Sequence, residues 1–215
     1  MIIRRLLGYR EGPIVALLVL EVAFFSIVSD NFATLNNLRT VLVNLTELAL
    51  VSVGLTLIVI QKEIDVSVGS ILGVVAVLAG SALLAGLPAP LVFLISLGAG
   101  AALGLFNGVL VTFGRVPPII ATLGTFNLWR AAILLLLGGQ FLTGIPSFSP
   151  TLERGSVLGV PLRFLLVLAV YAVFWYVLRY RVIGRTIYAI GNNEEAARLA
   201  GLNVRRAKLF SYTTM

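Results

Sequence analysis

The sequence predicts an all-α, polytopic membrane helix bundle, and three observations predict it. Of its 215 residues 59% are hydrophobic and only 12% charged, with a mean hydropathy of +1.05, far from the balance of soluble domains. Six segments approach the roughly 20 apolar residues that a helix needs to cross a bilayer. The basic residues, which give a formal charge of +7, gather between those segments. Such gathering is the mark of loop topology and not of a nucleic-acid face. With no histidine and no cysteine, thiol catalysis, disulfide frameworks, a Ser-His-Asp triad and most zinc or haem sites are excluded. No metal, cofactor or nucleic acid is therefore expected. The chain also lacks a Gly-rich Lys-Ser/Thr phosphate loop, so any ATP would have to bind on another subunit.

Complete spans are expected at 13–28, 41–60, 68–87, 91–113, 118–137 and 162–178, with a seventh beginning at Leu209. The whole of 1–215 reads as one transmembrane domain, the N-terminal part of a longer one. Arg4, Arg5 and Arg10 ahead of the first apolar run imitate a signal peptide, but no small-residue cleavage site follows and Glu11 and Glu21 are foreign to one. The segment is read as a retained first helix. With a cytoplasmic N-terminus, 12 Lys and Arg residues fall on the inner side, seven of them between Arg179 and Lys208, against Arg39, Arg154 and Arg163 outside. An even number of spans is what returns that basic loop to the cytoplasm.

Inside the first two spans, Glu21 and Glu47 are ionisable residues, each either touching a transport path or hydrogen-bonded within the bundle. The stretch 62–73 follows, where Lys62, Glu63 and Asp65 interrupt the hydropathy. Three charges so close cannot face lipid, since each costs a few kcal/mol, on the order of 2.5–3.5, near the bilayer centre. Here the chain either leaves the membrane or breaks inside a protein-lined cavity, and the small polar residues Ser67 to Ser70 can cap the helix that restarts. Asp65, Ser67 and Ser70 are candidate path residues.

Gly100, Gly104 and Gly108 in the fourth span form a ridge of small residues, a surface for close helix approach. Arg115 and the Pro117-Pro118 pair make a basic turn before the fifth span, Pro118 suiting its first turn. Thr122 and Thr125 are small and polar enough to line a cavity, and Arg130, if buried, needs a carboxylate or carbonyls, with Glu47 and Glu21 as candidate partners. The Gly-, Ser- and Pro-rich segment 141–161 is too interrupted for a span; it either meets a partner or covers helix ends. Tyr171, Trp175, Tyr176 and Tyr180 give the sixth span an interfacial aromatic belt above Arg179 and Arg181.

After the sixth span a short helix is expected over 192–202, with Asn192 as N-cap, Glu195 three residues on completing a capping-box-like start, and Gly201 as the stop. Glu194 and Glu195 complement the positive end of its dipole. Ala196, Ala197, Leu199 and Ala200 offer a small apolar surface able to enter a groove on another protein. The competing reading, a helix resting on the membrane lipid, wants bulkier apolar residues than these.

Three blocks carry a resemblance. Gln61-Lys62-Glu63-Ile64-Asp65-Val66-Ser67-Val68-Gly69-Ser70 resembles the Gly-Gly-Ile-Asp-Leu-Ser-Val-Gly-Ser signature of the permeases of bacterial ATP-binding-cassette (ABC) importers for ribose-type monosaccharides, with Lys62 and Glu63 replacing the two glycines. The run from Pro117 to Arg130 is similar to that family's Pro-Pro-Phe-Ile-Val-Thr-Leu-Gly-Thr segment, and 185–204 resembles its cytoplasmic Glu-Ala-Ala loop. The resemblance implies the permease subunit of a sugar-type importer in the bacterial inner membrane, without catalysis of its own. It implies as partners a cytoplasmic ATP-binding subunit coupled through Asn192, Glu194, Glu195, Ala196, Ala197, Leu199 and Gly201, a periplasmic substrate-binding protein and a second permease copy or paralogue. Ribose, xylose, rhamnose and autoinducer-2 are the substrates of the branches it resembles, with branched-chain amino acid permeases as more distant relatives. An ion-coupled secondary transporter using Asp65, Glu47 and Glu21 is the alternative from another class, and an intramembrane enzyme the weaker one.

Overall fold

The computed structural model describes residues 12–215, so Arg4, Arg5 and Arg10 of the orientation argument and Glu11 of the signal-peptide argument lie outside the described residues. The bundle contains α1 (Gly12–Val28), α2 (Leu35–Ile60), α3 (Val68–Leu84), α4 (Ala89–Thr112) and α5 (Pro118–Leu137). There follow α6 (Pro150–Arg154), a hairpin of β1 (Ser156–Val157) and β2 (Val160–Pro161), and α7 (Leu162–Tyr180). Three short helices close the chain: α8 (Val182–Asn192), α9 (Glu194–Leu199) and α10 (Val204–Thr214).

Four of these, α2, α4, α5 and α7, are long and apolar enough to cross a membrane. The other two expected spans, α1 and α3, are apolar but 17 residues long, a rise of about 26 Å. The second helix starts at Leu35, six residues before its expected 41, because Thr34 caps it: the Asn37 N–H donates to Thr34 Oγ1 at 3.2 Å. The expected helix over 192–202 is corrected more sharply. Asn192 is the last residue of α8, and Asn193 is the cap of a six-residue α9, its Oδ1 accepting the Ala196 N–H at 2.9 Å. With the cap one residue later, Glu195 loses its capping-box position. The interrupted segment 141–161 holds only α6 and the hairpin, tied back to α2 where Arg39 Nε donates to Gly159 O at 3.1 Å.

Packing runs from α5 through α3 and α4 to α10, then to α2, α7 and α8. The junction 61–67, the turn 113–117 and the segment 181–203 share one end of the bundle, while 138–161 sits at the other, against Gly80 of α3. The helices α2, α3, α4, α5 and α7 therefore alternate in direction. Side chains of α1 are exposed along its length, and only Gly12 is buried in it. Most other long helices also present apolar side chains outward, as lipid-facing surfaces do.

The continuous core lies at the end carrying the short helices. Leu57 and Ile187, both fully buried, pack with Ile190, Ala197, Val204 and Ala207. A second cluster joins Ile58, Val111, Ala121 and Tyr212. The glycine ridge of α4 is a packing surface, as its spacing predicts: α10 lies so close that a Cβ on Gly104 would collide with the Tyr212 backbone carbonyl, and one on Gly108 would sit 3.1 Å from Tyr212 Cβ. Ile187, Ile190 and Gly191 place one face of α8 on this core, with Arg185, Tyr188 and Asn192 pointing away.

Candidate functional site

At the end of α2 the chain turns through a Schellman arrangement. The Lys62 N–H donates to Val59 O at 2.9 Å and the Glu63 N–H to Ile58 O at 3.1 Å, with Lys62 in the left-handed region at φ 60°. The first glycine of the resembled signature stands where that conformation is required. The Gln61 side chain then fastens the turn from inside, its Nε2 donating to Leu57 O at 3.0 Å and to Ser211 Oγ of α10 at 2.6 Å.

Asp65 organises the entry to α3. Its Oδ1 accepts both the Ser67 N–H and the Ser67 hydroxyl, each at 2.7 Å. Ser67 therefore does not cap α3 with its own side chain; that hydroxyl is committed to Asp65 and accepts from Asn107 Nδ2 of α4 at 2.7 Å. Ser70 Oγ donates to Ser67 O at 2.7 Å. From α5, Thr122 Oγ1 accepts the Val66 N–H at 3.3 Å and donates to Pro118 O at 2.9 Å, and Thr125 Oγ1 donates to Thr122 O at 3.2 Å. Ser67, Asn107 and Thr122 are fully buried, and Asp65, Ser70 and Thr125 nearly so. Among the described residues, two acceptors of this packed cluster have no donor, Asp65 Oδ2 and Asn107 Oδ1. A buried acceptor without a donor costs about 1–3 kcal/mol.

Of the seven candidate path residues, five meet at this junction. Glu47 and Arg130 do not: both are exposed, and the expectation that Arg130 pairs with Glu47 or Glu21 is corrected, since its guanidinium lies 5.5 Å from the Phe126 ring centroid and has no carboxylate partner among the described residues.

The second group of candidates sits on α9. Asn193 caps it, Arg198 bridges to Glu194 at 3.2 Å and Glu195 at 3.8 Å, and Gly201 ends it at φ 77° in a second Schellman turn, where the Leu202 N–H donates to Ala197 O at 3.1 Å. Ala197, expected on a partner-facing surface, is only 4% exposed, because at this register it belongs to the chain's own core cluster with Leu57, Ile187, Ile190, Val204 and Ala207. Ala196, Ala200 and Leu199, the last 82% exposed, face outward. Beside α9 a polar cleft of about 870 Å³ is lined by Arg115, Pro118, Glu194, Arg198, Arg205 and Lys208.

Sequence reasoning missed the link between the two groups. Lys208 Nζ lies 2.6 Å from Glu63 Oε1 and 2.9 Å from Glu194 Oε2. The two carboxylates flank the buried ammonium and offset the cost of taking it out of water. The available signal was the acidic Glu63 at a position where the resembled signature carries glycine.

Residues 37–215 match the family model described as branched-chain amino acid transport system / permease component. The chain belongs to this permease family. Curated relatives within its reach include the "Autoinducer 2 import system permease protein LsrC" of Yersinia pestis (strain Pestoides F) and of Yersinia pseudotuberculosis serotype O:1b (strain IP 31758). Each is 35% identical over 205 residues, covering 95% of this chain and 58% of the relative, so the chain spans a little over half the length of these permeases. No solved structure matches it. Membership places the chain among membrane permease components, which do not themselves catalyse a reaction, and agrees with the apolar helices α2, α4, α5 and α7.

Proposed function

We propose that this chain acts as the membrane permease subunit of an ATP-driven importer in the bacterial inner membrane, moving a monosaccharide or related sugar-like molecule. It crosses the membrane six times, α1 and α3 included, with its N-terminus cytoplasmic and α10 opening a seventh crossing. The observation that carries the reading is α9: a capped helix seated on a buried core, with Leu199, Glu195 and Arg198 turned outward at the end that also carries the basic segment 181–206. A helix so placed is suited to a groove on a cytoplasmic ATPase. The ATPase would supply the energy, a periplasmic binding protein the substrate, and a second permease copy or paralogue the other wall of the pathway.

In that reading substrate passes the junction where Asp65, Ser67, Ser70, Thr122 and Thr125 meet. A sugar hydroxyl is both donor and acceptor, and the unpaired Asp65 Oδ2 and Asn107 Oδ1 are oxygens it could donate to once the packed junction opens. The names of the relatives favour a sugar-like cargo such as autoinducer-2 over a branched-chain amino acid, although the family description names the latter.

The test is co-purification followed by uptake. Solubilised chain is expected to bring down a P-loop ATPase, Leu199→Asp to lose it, and vesicles holding the complex to accumulate labelled sugar only with ATP. A chain that comes out alone, and that takes up solute on an ion gradient without ATP, would replace this reading with ion-coupled transport.

A further inference from the structure

Three ionised side chains from three separate elements meet beside α9. The Lys208 ammonium of α10 holds Glu63 of the junction at 2.6 Å and Glu194 of α9 at 2.9 Å. The Glu63 and Lys208 side chains are 6% and 11% exposed and that of Glu194 39%, so the triad runs from the interior to the surface. As a stabiliser such a cluster is weak, because desolvation cancels most of the attraction and apolar residues of similar size would hold the same contact. What it does impose is register: neither buried charge can be left without its partner except at high cost.

The inner end of the triad is already wired to the candidate path. Glu63 stands two residues before Asp65, whose Oδ1 holds Ser67, which in turn is held by Asn107 of α4. A parallel strut runs from α10 itself, where Ser211 Oγ accepts from Gln61 at 2.6 Å. At the outer end Glu194 is shared: its Oε2 serves Lys208 and its Oε1 serves Arg198 of its own helix at 3.2 Å. A partner that draws on the exposed Arg198, or shifts α9 bodily, changes the hold of Glu194 on Lys208.

We propose that Lys208 is a positioning residue that transmits displacement of α9 through Glu63 to the Asp65 junction. The source of that displacement, a docked ATPase, rests on the importer reading; the transmission itself rests on the two contacts of Lys208. Coupling of this kind is established by a double-mutant comparison and not by proximity.

The experiment measures hydrogen exchange of the junction amides in purified, solubilised chain. Val66 and Ser67 are the reporters, since their N–H groups are held by Thr122 Oγ1 and Asp65 Oδ1. Glu194→Gln is expected to speed their exchange at least fivefold in the wild-type background and less than twofold in Lys208→Met, while Lys208→Arg keeps the response. Equal effects with and without Lys208, or no effect of Glu194→Gln at all, would overturn the proposal. If Lys208→Met does not fold, Glu63→Gln/Lys208→Met removes both members of the buried pair and serves the same comparison. In vesicles with the ATPase, Lys208→Met should lower solute moved per ATP about tenfold with the ATPase still bound, and an unchanged ratio would count against it. Failure of the wild-type chain to bind any ATPase would sink the importer reading alone, with the exchange comparison still deciding the role of Lys208.

Discussion

Lys62 occupies a left-handed position, φ 60°, at the end of α2, and it is a residue that pays for that conformation with a Cβ. Its side chain is exposed and makes no ion pair among the described residues, so nothing in the contacts offsets the strain. Lys62→Gly is expected to raise thermal stability in detergent modestly, by up to about 1 kcal/mol, the αL relief exceeding the added freedom of the unfolded chain. A loss of stability would show that the lysine has a role its contacts do not reveal. Asp65 is a different case, because its carboxylate has both a structural bond and a free oxygen. Asp65→Ala leaves the buried Ser67 N–H and hydroxyl without their acceptor and should destabilise by about 1–3 kcal/mol, confounding any transport measurement. Asp65→Asn keeps an oxygen for Ser67 and alters only the charge and the unpaired atom, so it should preserve the melting temperature and cut uptake at least tenfold; normal uptake would remove Asp65 from the path. That Asp65 would be held by partners was legible, since a carboxylate in a hydropathy gap must find them, and the structure supplies Ser67. Lys208 was not, because one more lysine in a basic loop is fully explained by topology until its neighbours in space are known.

At the level of elements, hydropathy located the apolar helices, four of them long enough to cross a membrane, and failed where the boundary is decided by one side chain. Two adjacent asparagines precede α9, and either can cap a helix; Asn192 was the expected one because Glu195 follows it at capping-box spacing. The fold instead extends α8 through Asn192, whose preceding residue Gly191 must pass so close to Ile60 that any Cβ would strike its carbonyl oxygen, and the cap falls to Asn193. Asn193→Ala should therefore destabilise the region by about 1 kcal/mol and loosen α9, visible as faster exchange at Ala196, while Asn192→Ala is nearly neutral. The reverse ranking would restore the longer helix. The α4 ridge shows the same limit from another side: its small residues announce a close neighbour, but that the neighbour is α10, remote in sequence, follows only from the fold.

For the whole molecule, the arrangement separates a lipid-facing apolar girdle from a packed, charged end. The charged end gathers the junction, the turn at Arg115, α9 and the buried Lys208 triad, and the hydrophobic clusters around Leu57 and Ile58 lie at this same end. The opposite end carries 138–161, with Leu158 of the hairpin turn fully exposed. The sidedness argument of 12 basic residues against three assigns the first end to the cytoplasm, but three of the 12 lie before residue 12, and an alternating bundle is equally consistent in either orientation. Single cysteines decide it without background, because the chain has none of its own. In intact cells Leu158→Cys should react with a membrane-impermeant maleimide, and Arg206→Cys only after the membrane is opened. The inverse pattern would turn the bundle over and put α9 out of reach of any cytoplasmic ATPase, while labelling of both positions from outside would place α9 on the same face as the hairpin and break the alternation on which the six-span count depends.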